Sequence, residues 1–206
     1  MRAAHVIFGT YGFWLPNDPR GSWSDFVAAW DLFRAAGRAT TVNTCRSRAA
    51  VPHNQESRHA AKSELKYPPV ALTGLQARAV GEAFHDFATR SHLTILACAI
   101  LPQHVHLVFA DHRYGAGQIV TLLKGAASKH LEEQSLHPMS AFPRRRGRPA
   151  KCWSRGEWKI YLDTPSEAKR AVRYVENNPI KEGLKPQRWR VVTPLDHWLN
   201  SISPQR

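Results

Sequence analysis

The chain has 206 residues, which is enough for one domain with a full hydrophobic core and long insertions. Lysine and arginine outnumber aspartate and glutamate by 29 to 16, so the formal net charge is +13 and a polyanion is the natural partner. The N-terminal residues lack the pattern of a signal peptide, and no run of about eighteen apolar residues is present, so we expect a cytoplasmic protein with no membrane partner.

The first half of the chain predicts a strand, an insertion and a helix. Residues 5–11 are rich in β-branched and aromatic side chains, which are typical of a strand. Residues 25–69 give a weak signal: 30–33 could form a short helix, and 38–62 is polar, basic and unpatterned. We interpret 25–69 as a long, partly mobile insertion. Apolar residues then recur at helical spacing over 73–91, which predicts an amphipathic helix.

The second half predicts a hairpin, a helix and a further strand. Residues 94–100 and 104–110 are short β-rich runs joined by Leu-Pro-Gln, which is typical of a hairpin. A second amphipathic helix is expected over 119–131. A polar, basic segment, about 135–155, separates this helix from a fourth predicted strand at 158–162.

A final helix is predicted to begin after Thr164. Thr164, with Glu167 three residues later, resembles a capping box, and we expect the helix to end near Asn178 because Pro179 disfavours helical geometry in the residue before it. The element order is β-α-β-β-α-β-α. Its first six elements match the ferredoxin-like pattern, an antiparallel sheet with two helices on one face. We therefore predict a single α+β domain over 1–206, with the insertion after the first strand.

Two histidines stand at alternate positions of the third predicted strand, in the stretch LPQHVHLVF. Because successive side chains of a strand point to opposite faces, His104 and His106 share one face. Their positions are about 7 Å apart along the strand, near enough to hold one ion between the imidazoles. An exposed polar face on a half-buried strand would produce the same pattern.

The final helix offers a nucleophile and an oxygen ligand on one face. Tyr174 and Asn178 are four residues apart, so their Cβ atoms lie roughly 5–6 Å from each other. If this face meets the two histidines, the site suits phosphodiester chemistry with a divalent ion, in which Tyr174 attacks the phosphate. A core tyrosine and an asparagine that caps a helix are the alternative interpretations.

Three blocks together resemble the REP-associated tyrosine transposases, which belong to the single-tyrosine HUH (histidine-hydrophobic-histidine) nucleases. The blocks are LPQHVH in the hairpin, YVENNPIKEGL at the end of the final helix and TYGFWLPNDPRGS near the N-terminus. The resemblance covers most of the chain apart from about 25–66 and 135–149.

The resemblance implies a set of roles and a reaction. His104, His106 and Asn178 would bind a metal ion, which we expect to be Mg²⁺ or Mn²⁺, and Tyr174 would be the nucleophile. The reaction would nick and rejoin single-stranded DNA beside a hairpin, at REP-like or insertion-sequence ends, through a 5′-phosphotyrosine and without ATP. The implied active form is a monomer, although transposases of the wider superfamily act as dimers.

Basic residues predict where DNA binds. The stretch PRRRGRP at 143–149 is similar to an AT-hook, although phosphate contacts without minor-groove insertion would need the same residues and are the interpretation we favour. Asp18 and Arg20 lie in a turn that has a local explanation, and Arg20 could also contact DNA. The cationic residues that we expect to bind DNA are Arg144, Arg145, Arg146, Arg148, Lys151, Lys124, Arg173 and Arg20.

Other functions and other nucleophiles compete with this hypothesis. The same fold could be a catalytically inactive module that binds hairpin DNA or RNA, or a metal phosphodiesterase that uses water and dispenses with Tyr174. Tyr114, near a glycine turn, is the rival nucleophile, whereas we interpret Tyr161 as a core residue. The other nine histidines, His5 among them, lack a partner at ligand spacing and are assigned to no site.

Overall fold

The computed structural model describes residues 2–44, 48–49, 51–143 and 147–202. Among the helices of these ranges, none is both long and apolar enough to cross a membrane. The regular elements in chain order are β1 (Ala3–Gly9), α1 (Trp30–Ala36), α2 (Gln55–Ser63), α3 (Gly74–Ser91), β2 (Ile95–Ile100), β3 (His104–Ala110), α4 (Ala116–Glu133), β4 (Trp158–Leu162), α5 (Pro165–Lys181) and α6 (Leu195–Ile202).

The four strands form one sheet in the order β2-β3-β1-β4, and every neighbouring pair is antiparallel. This order, with β2 and β3 joined as a hairpin, is that of a ferredoxin-like βαββαβ unit. The predicted α+β class is therefore confirmed. The central strand β1 lies between β3 and β4, where Ile7 stands opposite both His106 and Trp158.

One face of the sheet packs against α3 and α4. Val6, Phe8 and Leu107 point to this side and are buried in the main core. The C-terminal tail packs against α3 through Trp189, which contacts Gly81. A Cβ added at Gly81 would come within 2.4 Å of the indole. Only a residue without a Cβ permits that contact, so the tail and α3 are fitted to each other.

The opposite face of the sheet packs against α5, which begins at the predicted capping box of Thr164 and Glu167. Val175 of α5 is fully buried against this side. The prediction that the helix ends near Asn178 is wrong, because α5 continues through Pro179 to Lys181. Proline removes one donor here, but only in the last turn. The N–H of Glu182 then donates to the carbonyls of Asn178 and Pro179, at 3.2 and 3.1 Å, and keeps the turn closed.

The insertion contains more regular structure than its sequence pattern indicates. The short helix expected near Trp30 is present as α1, whereas the stretch interpreted as unpatterned contains α2. Asn54 caps α2 by accepting a hydrogen bond from the backbone N–H of Ser57. Ala61 alone is buried from this helix, in a small cluster with Leu15 and Leu32. One buried alanine leaves no apolar period to detect.

Candidate active site

Three imidazoles lie together on the α5 side of the sheet. His104 and His106 come from β3, as their alternation predicts, and their ring centroids are 4.8 Å apart. His5 of β1 joins them, with its ring 5.7 Å from that of His106. All three side chains are buried. The interpretation of His5 as a residue outside the site is therefore wrong, because the register of β1 against β3 brings it next to His106.

The face of α5 that meets these rings carries Tyr174 and Asn178, and Glu182, the residue directly after the helix, continues the same interval of four. The amide nitrogen of Asn178 lies 3.0 Å from Nε2 of His106. Oε1 of Glu182 lies 3.6 Å from Nε2 of His104. The structure thus brings the predicted helical face against the predicted pair of histidines, and it adds Glu182, a residue that the sequence analysis did not consider.

Like Glu182, Tyr174 is accessible from solvent. Its ring lies 5.6 Å from that of His106 and 5.8 Å from that of His5, yet 38% of the residue is exposed. Nζ of Lys181 lies 5.1 Å from the centre of the tyrosine ring. An anionic group that approaches the phenol therefore meets a positive charge beside it.

Burial keeps the three imidazoles neutral near neutral pH. It lowers the pKa of His5 and of His104 from 6.5 to about 4. Burial, reinforced by the two neighbouring histidines, lowers the pKa of His106 to about 2. Burial also raises the pKa of the Glu182 carboxyl. Neutral imidazoles have a free lone pair, which is the form that binds a metal ion.

The chemistry of these donors fits a divalent cation. In the part of the chain that the structure describes, no three His, Cys, Asp or Glu side chains form a cluster that could hold a metal ion. Beside His104 and His106, the amide oxygen of Asn178 would be a third ligand once a 180° rotation of the amide group brings it to the position of the nitrogen. Nδ1 of His104 is buried without a hydrogen-bond partner in the described residues, so no hydrogen bond from these residues replaces the water that this atom loses on burial.

The ring of His104 is held by stacking. Phe13, from the loop after β1, lies parallel to it with ring centroids 4.6 Å apart and an interplanar angle of 8°. Gly9 permits this arrangement, because a Cβ at that position would lie only 3.0 Å from Cδ1 of Phe13. The N-terminal block that resembles the transposase family thus supports a histidine of the site.

An open cleft of about 870 Å³ leads to Tyr174. Aromatic side chains line it, among them Trp23 and Trp158, whose ring centroids are 6.1 Å apart. Trp23 is 39% exposed. Four arginines also line the cleft: Arg20, Arg48, Arg155 and Arg170. The cleft therefore combines exposed aromatic rings with positive charge, the pairing used to bind single-stranded nucleic acid.

Two of the predicted DNA-binding cations are engaged in the protein itself. The guanidinium of Arg20 donates to both carboxylate oxygens of Asp18, at 2.8 and 2.7 Å, and lies over the ring of Trp14. Nζ of Lys124 donates to the carbonyls of Ser154 and Gly156, at 3.1 and 2.6 Å. Burial lowers the pKa of Lys124 to about 8. Both residues support loops at the cleft, since Arg20, Ser154 and Gly156 line it.

Of the other predicted cations, three lie in the described residues and three do not. Arg148, Lys151 and Arg173 are exposed. Arg144, Arg145 and Arg146 lie outside the described residues, so their predicted contacts with DNA stay predictions.

The two alternative tyrosines are placed differently from Tyr174. Tyr114 packs against the core on the α3–α4 side of the sheet and does not line the cleft. The interpretation of Tyr161 as a core residue is wrong, because it is 44% exposed and lies under the guanidinium of Arg2, 4.5 Å away. The reason is its place on the edge strand β4, where it alternates with Ile160 and Leu162, which pack against the α5 side.

Comparisons with known proteins give structural matches alone. No family model and no curated protein sequence matches the chain. One similar solved structure is a REP-associated tyrosine transposase bound to a REP hairpin, at 12% identity over 94% of this chain and 83% of that chain, with a TM-score of 0.46. A second is a candidate transposase from Deinococcus radiodurans R1, at 17% identity over 85% of this chain and 88% of that chain, with a TM-score of 0.41.

Proposed function

We propose that this protein nicks and rejoins single-stranded DNA beside a hairpin, with Tyr174 as the nucleophile and a divalent metal ion as cofactor. One observation carries the proposal: a single face of α5 presents Tyr174 and Asn178 to the buried pair of His104 and His106. An ion ligand and an accessible phenol on adjacent turns suit attack on a phosphodiester.

The metal site that we propose consists of His104, His106 and the amide oxygen of Asn178, with Mg²⁺ or Mn²⁺ as the ion. Imidazole and amide oxygen without a thiolate suit these harder cations, which also bind phosphate oxygens. When bound, the ion polarises a non-bridging phosphate oxygen and neutralises charge that develops during the reaction. The neutral state of the two buried imidazoles supports this assignment.

The covalent step that we propose uses the phenol of Tyr174. Its oxygen forms a bond to the phosphorus while the bond from phosphorus to the 3′ oxygen breaks, and the phenolic proton is lost. The departing 3′ oxygen takes up a proton and becomes a free hydroxyl, and the 5′ end stays on the tyrosine as a phosphodiester. Because one phosphodiester replaces another, the free hydroxyl can reverse the step without ATP.

The proposed substrate is a single strand with a hairpin. The aromatic and basic lining of the cleft supports a bound strand, because bases stack on exposed rings such as Trp23 while arginines contact the phosphates. The net charge of +13 supports a polyanionic partner. A REP-like hairpin is the form that the family resemblance suggests. We propose a monomer as the active form, since Tyr174 and the three proposed ligands come from one chain.

A nicking assay tests the proposal. The purified protein is incubated with a labelled hairpin-bearing strand and Mn²⁺, and the products are separated on a denaturing gel. We expect cleavage by the wild-type protein and by Tyr161→Phe, a control at the margin of the same cleft. Tyr174→Phe and the double variant His104→Ala with His106→Ala should bind the hairpin but not cut it.

Two results would contradict the proposal. Hairpin binding without cleavage by the wild-type protein, over a panel of hairpins with Mg²⁺ or Mn²⁺, would favour an inactive binding module. Cleavage that persists in Tyr174→Phe would instead favour attack by water.

A further inference from the structure

His5 makes a contact that the proposed reaction does not use. Its side chain is buried in the central strand β1, and its Nε2 lies 3.4 Å from Nδ1 of His106. The ring planes differ by 24° and the ring centroids are 5.7 Å apart, so the two nitrogens meet edge to edge. The edges of Trp158 and Tyr174 close the same space, with ring centroids 5.3 and 5.8 Å from His5.

The two ring nitrogens of His106 therefore face different partners. Nε2 faces the amide nitrogen of Asn178, which can only donate, so Nε2 carries the lone pair. The proton of the neutral ring is then on Nδ1, and Nδ1 faces His5. In this arrangement Nε2 of His5 accepts the hydrogen bond from His106.

We propose that His5 is a positioning residue for His106. By accepting the proton on Nδ1, it holds His106 in the tautomer whose Nε2 lone pair points to Asn178 and α5. A histidine that binds a metal ion through one nitrogen commonly donates its other N–H to a fixed acceptor, which sets the tautomer and the orientation of the ring. The part of this inference that concerns the ion rests on the proposed function, whereas the tautomer does not.

The second histidine of the pair is held in another way, which makes the role of His5 specific. Nδ1 of His104 has no hydrogen-bond partner among the described residues, and its ring stacks on Phe13 instead. Removing His5 should therefore disturb His106 and leave His104 in place. A phenylalanine at position 5 would fill the same space beside Trp158 without offering an acceptor.

Two substitutions of His5 separate the hydrogen bond from the packing. His5→Phe keeps a ring but removes the acceptor, whereas His5→Gln places a polar atom close to the position of Nε2. Trp158→Phe is the matched control, since it alters the packing around His5 but not the contact with His106. Folding of each variant is followed by circular dichroism and thermal unfolding.

The first readout is the tautomer of His106 in the presence of a chelator, from ¹⁵N chemical shifts of the imidazole nitrogens. We expect the Nδ1–H form in the wild-type protein, in His5→Gln and in Trp158→Phe, and a mixture of tautomers in His5→Phe. The second readout is Mn²⁺ affinity, measured by electron paramagnetic resonance of free Mn²⁺. We expect a loss of about 10- to 100-fold in His5→Phe, the range typical of such outer partners, and a near wild-type affinity in His5→Gln.

Each outcome decides the matter. A wild-type His106 that carries its proton on Nε2 would overturn the inference, as would a folded His5→Phe variant with the wild-type tautomer and affinity. Loss of cleavage in His5→Phe with unchanged Mn²⁺ affinity and tautomer would also overturn it, in favour of a role in proton transfer. If His5→Phe does not fold, the wild-type and His5→Gln spectra decide. A wild-type protein with the Nδ1–H tautomer that binds no Mn²⁺ would count against the proposed function and leave the tautomer assignment standing.

Discussion

Acid should unfold this protein through the histidines buried between the sheet and α5. Burial lowers the pKa of His5 and of His104 from 6.5 to about 4, so between these pH values the two imidazoles are protonated in the unfolded chain and neutral in the folded protein. Below pH 6.5 the unfolded state holds more protons, and stability that is fully present above this pH is lost as the pH falls towards 4. At about 1.4 kcal/mol per pH unit and group, each of these histidines should cost about 2 kcal/mol between pH 6.5 and 5.

Two such groups amount to about 4 kcal/mol, a large part of the 5–15 kcal/mol that stabilises a typical domain. His104 also faces Glu182 at 3.6 Å, and a protonated imidazole would regain some energy from that carboxylate. His5 gives the cleaner test, because the rings that it packs against, those of His106, Trp158 and Tyr174, carry no negative charge to stabilise its protonated form.

The assay is urea unfolding followed by circular dichroism at pH 7, 6 and 5 with a chelator present. We expect the free energy of unfolding to fall steeply over this range in the wild-type protein, with a constant dependence on urea. Between pH 7 and 5, the free energy of unfolding of His5→Gln should fall by about 2 kcal/mol less than that of the wild-type protein, because the variant lacks one group that titrates. A wild-type stability that is constant from pH 7 to 5, or an equal slope in His5→Gln, would refute the reasoning.

Three further predictions concern the cleft, the basic segment and the C-terminal tail. Trp23→Ala should weaken binding of a single strand by about 5- to 150-fold in fluorescence anisotropy, since stacking of a base contributes about 1–3 kcal/mol; Trp30→Ala, exposed but outside the cleft lining, should not. Gly81→Ala should lower the free energy of unfolding by about 1–3 kcal/mol, because its methyl group would collide with Trp189; an unchanged urea midpoint would contradict this packing. Replacing four arginines by alanine should flatten the plot of log affinity against log salt by up to about one unit per lost phosphate contact, and an unchanged slope would argue against the contacts. The four are Arg144, Arg145, Arg146 and Arg148.

The parts of the site that could be predicted from sequence are those set by local periodicity. His104 and His106 alternate along one strand, and Tyr174 and Asn178 are one helical turn apart, so each pair shares a face in any fold that keeps its element. The capping box at Thr164 likewise depends on neighbouring residues alone, and it is present. These short-range rules put each pair on one face of its element, and the structure brings the two faces together.

The residues that the sequence analysis missed depend on longer-range geometry. The register of β1 against β3 places His5 opposite Val108, two residues from His106 on the same face of the sheet, so the two rings meet. No pattern within β1 predicts that register. Glu182 joins the site because α5 continues past Pro179 to Lys181, which the general effect of proline argues against. The spacing of four from Asn178 was visible in the sequence, so a search for a third residue on that face could have found Glu182.

The central claim is that Tyr174 attacks the phosphate, and a trapped adduct tests it most directly. The wild-type protein is incubated with a hairpin-bearing strand and Mn²⁺, denatured in detergent, digested and analysed by mass spectrometry. We predict one peptide whose mass is increased by a 5′-phosphorylated DNA fragment attached to Tyr174, and no such adduct in Tyr174→Phe. A modified peptide that contains Tyr114 or Tyr161 instead, or efficient cutting without any adduct, would contradict the account.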